Sequence, residues 1–476
     1  MLERADFLEA MAPVLQWVNT YLQSIEKYPV KSQVAPNAIY QALPASLPRA
    51  PESIAQILKD LEEIILPGIT HWQHPNFHAY FPANSSIESV LGELITAAIG
   101  AQCMIWETSP AAAELEERLM EWIRDAIGLP ADFEGCIQDT ASSATITAIL
   151  TAREVKTDFQ ANEMGVPPNL RVYCSTETHS SIEKGVKICG IGSRNVVKIP
   201  VDEQQRMIPE LLEKHIQADV AKGYLPTCVV AAIGTTSTVA VDPLPAIAAI
   251  CKRYQVWLHI DAAYAGNALF LPEYQWMIEG AEYADSFVFN PHKWLFTNFD
   301  CSAYFVKNAE ALIKTFEILP EYLKTKTRGQ VNDYRDWGIP LGRRFRALKL
   351  WFVLRSYGLE GLQQKLRKHI ELNHFFAEQI AQHPDLELIS KPFLNFTCFR
   401  INPKNGDYNE HQLNQLNEDL INRLNQSGKA YLTHTKINGQ YVIRIIFGQT
   451  YIEKRHVENV FQLIVNHTKE LLGTHS

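Results

Sequence analysis

Two short stretches decide the fold of this chain. They read Trp257-Leu258-His259-Ile260-Asp261-Ala262-Ala263-Tyr264 and Phe289-Asn290-Pro291-His292-Lys293-Trp294. The first has the pattern of a buried β-strand that ends in a carboxylate, Asp261. The second is a turn that follows an apolar stretch and carries an amine, Lys293. Ligands bind open α/β sheets at the carboxyl ends of strands, so we expect Asp261 to lie at a binding edge.

An amine and a carboxylate placed at the ends of such apolar stretches are the two groups that binding of pyridoxal 5′-phosphate (PLP) requires. The amine forms a Schiff base with the cofactor aldehyde. The acid keeps the ring nitrogen protonated, because a nearby negative charge raises the pKa of a base. Each residue also has a simpler interpretation, Lys293 as a solvated surface charge and Asp261 as a helix cap. The pair favours the cofactor.

The composition is ordinary for a large globular protein. The chain has 476 residues, of which 46% are hydrophobic and 20% are charged, and its formal net charge is −9. This acidic balance offers no basic footprint, so we expect no nucleic-acid partner. We also expect no signal peptide and no membrane contact, because no suitable apolar segment occurs. The eight scattered cysteines favour reduced thiols and a cytoplasmic location.

Hydrophobic patterns divide the chain into three parts. Residues 1–85 begin with an apolar stripe at helical spacing, which packs either on its own domain or on a partner as a dimerisation arm. Residues 86–370 alternate helices with strands and predict an α/β domain with a mainly parallel sheet. Residues 371–476 contain a strong hairpin pattern around Asn438-Gly439 and predict a small C-terminal α+β domain.

Two further segments are typical of cofactor binding. Small hydroxylated residues open a predicted helix within Gln138–Thr145, and N–H groups at such a helix start bind phosphate. An ordinary Ser/Thr N-cap explains the same residues. His179 follows another predicted strand and could stack on a flat cofactor or act in acid–base chemistry. The simpler alternative for His179 is a satisfied polar residue.

Three spaced histidines, His71, His74 and His78, invite a metal interpretation. Pro75 interrupts any helix that would align the last two, and no cysteine or acidic ligand set lies nearby. We therefore predict no metal site and favour aromatic packing, as the wall of a substrate pocket. The aromatic residues concerned are Trp72, Phe77, Tyr80 and Phe81.

The segment Pro320–Gln330 is polar and basic and contains Tyr322. A mobile loop of this kind can close over a site, exclude water and deliver a proton donor. The alternative is a plain surface loop.

Longer stretches resemble the group II PLP-dependent decarboxylases, specifically the aromatic L-amino acid decarboxylases. They are His74–Pro82, Trp257–Gly266, Ala284–Trp294 and Pro340–Arg346. The resemblance implies the PLP-dependent transferase fold type I, with an N-terminal helical arm, a large sheet domain and a small C-terminal domain. It also implies a tight homodimer with active sites at the interface.

The resemblance implies a role for each matching residue. Lys293 would form the Schiff base, Tyr322 would protonate the product carbanion, and His179 would be the third catalytic residue. The cofactor-binding residues would be Lys293, Asp261, Ala263, His179, Ala141, Ser142, Thr236, Asn290 and His292. The substrate pocket would be lined by Trp72, Tyr80, Pro82, Gln102, Met104 and Gly342.

The implied reaction converts an aromatic L-amino acid (tryptophan, 5-hydroxytryptophan, dopa, tyrosine or phenylalanine) to the arylalkylamine and CO2. Relatives with phenylalanine at the loop tyrosine, or asparagine at the stacking histidine, tend to be aldehyde synthases that consume oxygen. Tyr322 and His179 therefore favour simple decarboxylation. An aromatic aldehyde synthase and a decarboxylase of a non-aromatic amino acid are the alternatives.

Three residues bear on the substrate. Gln102 and Met104 stand where animal members usually carry apolar residues, and they change a pocket wall supplied by the partner subunit. Gly342 resembles the glycine of enzymes that accept indoles. Tryptophan-type, 5-hydroxytryptophan or dopa substrates are therefore favoured.

Overall fold

The computed structural model describes residues 6–318 and 329–473. The chain forms two compact units, one comprising Met1–Pro82 with His369–Ser476 and the other Ala83–Lys368. The three-part division of the sequence stays a prediction. None of the helices described combines the length and the apolar character needed to cross a bilayer.

In chain order, the strands are β1 (Glu134–Gln138), β2 (Leu170–Ser175), β3 (Val196–Ile199), β4 (Leu225–Ala232), β5 (Trp257–Asp261), β6 (Ser286–Phe289), β7 (Ser302–Val306), β8 (Leu386–Leu388), β9 (Phe396–Ile401), β10 (Thr433–Ile437) and β11 (Gln440–Ile446). The α-helices are α1 (Phe7–Ser24), α2 (Ala38–Ala42), α3 (Ile54–Asp60), α4 (Ile87–Ile99), α5 (Pro110–Ile127), α6 (Ala141–Lys156), α7 (Gln160–Met164), α8 (Ser181–Ile188), α9 (Pro209–Ala221), α10 (Leu244–Tyr254), α11 (Pro291–Trp294), α12 (Ala309–Phe316), α13 (Arg346–Gln382), α14 (Glu410–Gln426) and α15 (Lys454–Leu472).

The unit Ala83–Lys368 is built on a mainly parallel sheet with the strand order β1-β7-β6-β5-β4-β2-β3. The pairs β2·β3, β2·β4, β4·β5 and β5·β6 are parallel, whereas β7 is antiparallel to both β6 and β1. Because β7 runs against both neighbours, β1 points the same way as β4, β5 and β6. The predicted α/β fold with a mainly parallel sheet is confirmed.

The strands at the centre of this sheet are buried along their whole length. Every residue of β5 and of β6 is buried, as expected for parallel strands covered on both faces. Helix α6 packs against the sheet and supplies Ala148, Ile149 and Ala152 to the core. This packing fixes the N-terminus of α6 relative to the strand ends.

The C-terminal sheet belongs to the other unit and is antiparallel, with the order β10-β11-β9-β8. Asn438 and Gly439 connect β10 to β11 with φ values of 51° and 82°. Both lie in the left-handed region that a two-residue type I′ turn requires. The predicted hairpin is therefore confirmed, and α14 packs on β9 and β11.

Candidate active site

The carboxyl ends of six strands, β1 to β6, form one edge of the large sheet. Strands β2, β4, β5 and β6 run in the same direction as β1, so their carboxyl ends lie together. Asp261 is the last residue of β5, and Lys293 lies in the single turn of α11 that follows β6. Thr236 follows β4 and His179 follows β2. The sheet therefore brings these predicted residues to one edge, where α/β proteins bind ligands.

Mutual electrostatic effects connect three of these residues. Burial lowers the pKa of Lys293, whereas the Asp261 carboxylate raises it. Burial also lowers the pKa of His179, which Lys293 lowers further and Asp261 raises. Lys293, Asp261 and His179 thus share one electrostatic environment. A lowered pKa increases the fraction of neutral amine, which is the form that attacks an aldehyde.

Asp261 is buried, with only 9% of its surface exposed. Its Oδ1 accepts the backbone N–H of Ala263 at 3.1 Å. The next helical segment begins only at Ala265, so Asp261 ends a strand and does not cap a helix. A buried carboxylate with one oxygen engaged is suited to pair with a cationic group in the site.

His179 is exposed, and its ring is held by Ser181. Nδ1 of His179 accepts the backbone N–H of Ser181 at 3.1 Å and lies 2.8 Å from the Ser181 hydroxyl. In the neutral ring Nε2 then carries the proton. These contacts fix the plane of the imidazole at the start of α8, as stacking on a flat ligand would require.

Asn290 and His292 flank the turn that carries Lys293. The Ser302 hydroxyl donates a 2.6 Å hydrogen bond to Oδ1 of Asn290, so the N–H groups of that amide remain as donors for an anion. Nδ1 of His292 accepts the backbone N–H of Cys301 at 2.9 Å. Burial lowers the pKa of His292 to about 3, which keeps this ring neutral.

The N-terminus of α6 is capped by Thr140, whose hydroxyl accepts the N–H of Ser143 at 3.3 Å. The ordinary N-cap interpretation is therefore correct for Thr140. It is compatible with an anion site, because the backbone N–H groups of the first helical residues have no carbonyl partner within the helix. Those residues are Ala141 and Ser142, and the helix dipole adds a positive potential there.

The loop that carries Thr236 approaches the loop after β5 closely. Gly234 has a φ of 86°, and a Cβ atom there would lie 2.6 Å from Cβ of Ala265. A side chain at position 234 would thus force the two loops apart. The absence of that side chain keeps Thr236 near the edge that holds Asp261.

This set of groups fits PLP. Lys293 offers an amine for the aldehyde, and Asp261 offers a buried negative charge for the ring nitrogen. The first N–H groups of α6 and the amide of Asn290 offer donors for the phosphate. That Ala263 and His179 cover the two faces of the ring stays a prediction from the sequence.

Two of the predicted pocket residues, Gln102 and Gly342, meet elsewhere in the unit Ala83–Lys368, and Met104 lies two positions after Gln102. Oε1 of Gln102 accepts the N–H of Arg343 at 2.8 Å, beside Gly342. The carbonyl of Met104 accepts the N–H of Arg335 at 2.8 Å. Gln102 and Gly342 are both exposed. The two segments thus form one surface patch of adjoining predicted pocket positions.

The other predicted pocket residues belong to the first unit. The rings of Trp72 and Tyr80 stack with centroids 5.8 Å apart, and Pro82 is buried nearby in sequence. Tyr80 also lies with its hydroxyl 3.1 Å from that of Tyr431. The predicted aromatic packing is therefore present around Trp72 and Tyr80. Tyr322 lies outside the described residues.

The three histidines of the same segment have separate partners. Nδ1 of His71 lies 2.8 Å from the Tyr21 hydroxyl, and Nδ1 of His74 accepts the N–H of Asn76 at 2.9 Å. Nδ1 of His78 donates to the carbonyl of Ile446 at 2.9 Å. Among the described residues, no cluster of three His, Cys, Asp or Glu side chains could hold a metal ion.

Several residues that support the site were not anticipated. Ser302 orients Asn290, and Nδ2 of Asn267 donates to the carbonyls of Tyr264 and Asn290 at 2.7 and 3.1 Å. His259 lies two residues before Asp261 and is fully buried. His259 could have been noticed from the sequence, because it lies two positions before Asp261 in an otherwise apolar strand and therefore on the same face of that strand.

Comparisons with known proteins agree with this geometry. Residues 36–402 match the family model described as the pyridoxal-dependent decarboxylase conserved domain. Tryptophan decarboxylase 2 of Oryza sativa subsp. japonica is 40% identical over 470 residues, covering 97% of this chain and 94% of the relative. Phenylacetaldehyde synthase of Arabidopsis thaliana is 40% identical over 471 residues, covering 96% and 95%.

A solved structure extends the likeness to the fold. The crystal structure of Oryza sativa TDC with PLP and tryptamine superposes with a TM-score of 0.96 at 34% sequence identity, covering 99% of each chain. These relatives cover nearly all of the chain and the family model covers residues 36–402, so the predicted family and cofactor are confirmed. The chain therefore belongs to the group II pyridoxal-dependent decarboxylases and is a carboxy-lyase that uses pyridoxal 5′-phosphate.

Proposed function

We propose that this enzyme decarboxylates an aromatic L-amino acid to the arylalkylamine and CO2. The observation that carries the proposal is the shared environment of Lys293, Asp261 and His179 at one edge of the sheet. The activities for which the relatives are named, tryptophan decarboxylation and phenylacetaldehyde synthesis, support an aromatic substrate. The roles of individual residues below are part of the same proposal.

PLP, when bound, supplies a ring that accepts the electrons of the bond broken as CO2 leaves. Lys293 would hold the cofactor through its amine, and burial that lowers its pKa would favour the neutral form that this attachment needs. Asp261 holds a proton at the ring nitrogen, because its charge favours the cationic ring. His179 would cover one face of the ring, and Ala263 would pack on the other.

The remaining residues position the reactants. The first N–H groups of α6 and the Asn290 amide bind the phosphate and fix the ring in the site. The pocket would fix the orientation of the substrate's α-carboxylate, and that orientation would separate decarboxylation from competing reactions. Tyr322 then delivers a proton to the α-carbon, and the amine leaves.

Simple decarboxylation is favoured over aldehyde synthesis by two residues. This chain has Tyr322 and His179 where aldehyde synthases tend to carry phenylalanine or asparagine. An aromatic aldehyde synthase is the second candidate, because a phenylacetaldehyde synthase is 40% identical.

Within the aromatic class we propose a preference for indole or dopa side chains. Gly342 carries no side chain, and Gln102 provides the nearest group, with Nε2 3.2 Å from the position of a Cβ atom. The lack of a side chain at Gly342 supports a pocket that admits a second ring. One extra or missing methylene group in a hydrophobic pocket changes the ratio of kcat/KM between two competing substrates by about 10–200-fold.

We also propose a homodimer with its active sites at the interface. The outer face of α4 exposes Ile87, Leu91, Ile95 and Ile99 by 40–57%, and a contiguous apolar face of this kind marks an interaction surface. Helix α1 has no buried residue although it carries a stripe of apolar side chains. The exposure of Gln102 and Gly342 supports a pocket wall that each subunit contributes to its partner.

A cytoplasmic location is part of the proposal. All eight cysteines are free and buried, which suits a reducing compartment. Separation of cell fractions followed by detection of the enzyme tests the location.

A substrate panel tests the proposed reaction. The purified enzyme, loaded with PLP, is incubated with L-tryptophan, L-dopa, L-tyrosine, L-phenylalanine, L-glutamate and L-histidine. Amine, aldehyde, CO2 and hydrogen peroxide are measured in each case. We expect amine and CO2 in equal amounts from the aromatic substrates. Aldehyde with peroxide would establish the synthase instead, and no product from any aromatic substrate would refute both.

A further inference from the structure

Strand β5 presents three polar groups on one face. Successive side chains of a strand point to opposite faces, so Trp257, His259 and Asp261 share a face. Asp261 lies at the end of this row, in the candidate active site. His259 is fully buried one step behind it and is not assigned any part in the proposed mechanism.

Both ring nitrogens of His259 contact hydroxyl groups on other elements. Nε2 lies 3.2 Å from Oγ1 of Thr145, and Nδ1 lies 2.9 Å from Oγ of Ser286. Oγ of Ser286 also accepts the indole N–H of Trp257 at 2.9 Å. Thr145 belongs to α6 and Ser286 begins β6. A single imidazole therefore connects α6, β5 and β6.

These three elements are the ones that carry the cofactor groups. The first turn of α6 holds Ala141 and Ser142, β5 ends in Asp261, and β6 leads to Lys293. A rigid cofactor must meet the phosphate site, the carboxylate and the amine at the same time. The relative position of α6, β5 and β6 therefore sets how well it binds.

The imidazole satisfies both contacts in its neutral form. It has one donor and one acceptor, and each hydroxyl can donate or accept, so either tautomer completes both hydrogen bonds. Burial lowers the pKa of His259 to about 4, in keeping with the neutral form. An apolar residue would pack in this position at a lower desolvation cost, so a buried histidine with two polar partners indicates a requirement for fixed geometry.

We infer that His259 is a positioning residue, which holds α6 and β6 at the spacing from β5 that the cofactor requires. The inference rests on the site assigned under the proposed function. It gives His259 no contact with the substrate and no proton to transfer. The expected consequence of losing a contact is weaker PLP binding by an otherwise folded apoenzyme.

Two threonines of α6 provide a matched test. Both Thr145 and Thr147 are fully buried, but Oγ1 of Thr147 has no hydrogen-bond partner among the described residues. T145V and T147V therefore make the same chemical change, and only T145V removes a partner of His259. We measure the dissociation constant of PLP for each apoenzyme, the thermal midpoint of each apoenzyme, and the absorption spectrum of the bound cofactor against pH.

We expect T145V to raise the PLP dissociation constant about tenfold, as the loss of one buried hydrogen bond does. T147V should change it less than about twofold, and both apoenzymes should melt close to wild type. H259N, which can keep a hydrogen bond to Ser286 but cannot reach Thr145, should resemble T145V. Because the two changes remove one interaction, T145V/H259N should be no weaker than either single variant.

Three results would overturn the inference. One is a PLP dissociation constant for T145V and H259N equal to that of T147V. Another is a fall in the melting points of the apoenzymes with unchanged PLP binding, which would make His259 a packing residue only. The third is full additivity in the double variant. Failure of the proposed function is recognised separately, because PLP binding by the apoenzyme is measured without any amino acid, whereas the function fails when the substrate panel yields no arylalkylamine.

Discussion

Gly342 lies against the side-chain amide of Gln102. A Cβ atom at position 342 would be 3.2 Å from Nε2 of Gln102, and Oε1 of the same amide accepts the N–H of Arg343 at 2.8 Å. The amide is thus held from one side, and any side chain at position 342 must either displace it or turn away from it. Because of this contact, the shape of the patch depends on Gln102 and Gly342 together.

The first prediction concerns substrate choice. In G342S the added side chain meets Nε2 of Gln102 and fills the space proposed for a second ring. We expect kcat/KM for L-tryptophan to fall about tenfold relative to L-tyrosine, as measured by amine formation. G361S is the control, because a Cβ atom at Gly361 makes only ordinary contact at 3.5 Å. Q102A/G342S should recover part of the tryptophan activity, and an unchanged ratio in G342S would contradict the pocket assignment.

The second prediction concerns the type of reaction. Y322F removes the hydroxyl proposed to protonate the α-carbon, so the carbanionic product should react with oxygen instead. We expect amine formation to fall by at least about tenfold and aldehyde, ammonia and hydrogen peroxide to appear with matching oxygen consumption. An oxygen electrode and product chromatography measure both routes. If Y322F formed amine and aldehyde in the same ratio as wild type, Tyr322 would not be the proton donor of the mechanism.

The third prediction concerns stability against pH. Burial lowers the pKa of His78 from 6.5 to about 4. As the pH falls below about 6.5, His78 becomes protonated in the unfolded chain but stays neutral in the folded chain. The free energy of unfolding therefore decreases as the pH falls. The loss from this histidine between pH 7.5 and 5.5 is about 1 kcal/mol. Burial raises the pKa values of Asp242 and Asp285 to about 6, which acts in the opposite sense.

A variant separates these contributions. H78Q removes the histidine and keeps Asp242 and Asp285, so its thermal midpoint should fall less between pH 7.5 and 5.5 than that of wild type. H215Q changes an exposed histidine on α9 and should keep the wild-type pH dependence. Parallel pH curves for wild type and H78Q would show that burial of His78 does not control acid stability.

The fourth prediction concerns the oligomeric state. L91E places a charge at the centre of the exposed apolar face of α4, where Leu91 is 47% exposed. We expect the dimer to dissociate, as seen by light scattering after size exclusion, because a charge buried in an apolar interface costs several kcal/mol. M164E changes a 77% exposed residue of α7 and should leave the mass unchanged. A monomeric wild type would refute the homodimer.

The strand-end residues could be predicted from sequence because topology decides where they go. Once β5 and β6 are parallel neighbours, Asp261 and the turn with Lys293 must lie at the same edge. The hairpin at Asn438-Gly439 could be predicted for a similar reason, since its two left-handed residues define the turn type.

The supporting contacts could not be predicted, because they join elements far apart in sequence. The bond from Ser302 to Asn290 depends on β7 lying antiparallel to β6. The contact of His259 with Thr145 depends on how α6 packs against β5. The meeting of Gln102 with Gly342 follows from backbone pairing of two irregular segments. No local periodicity encodes these packing choices.

The measurement that tests the central claim most directly is reduction of the PLP-loaded enzyme with borohydride, followed by peptide mass spectrometry. We predict one pyridoxyl group per chain, attached to Nζ of Lys293, with loss of the visible absorption band. K293A should carry no such group. A label on another lysine, or none in wild type, would contradict the account.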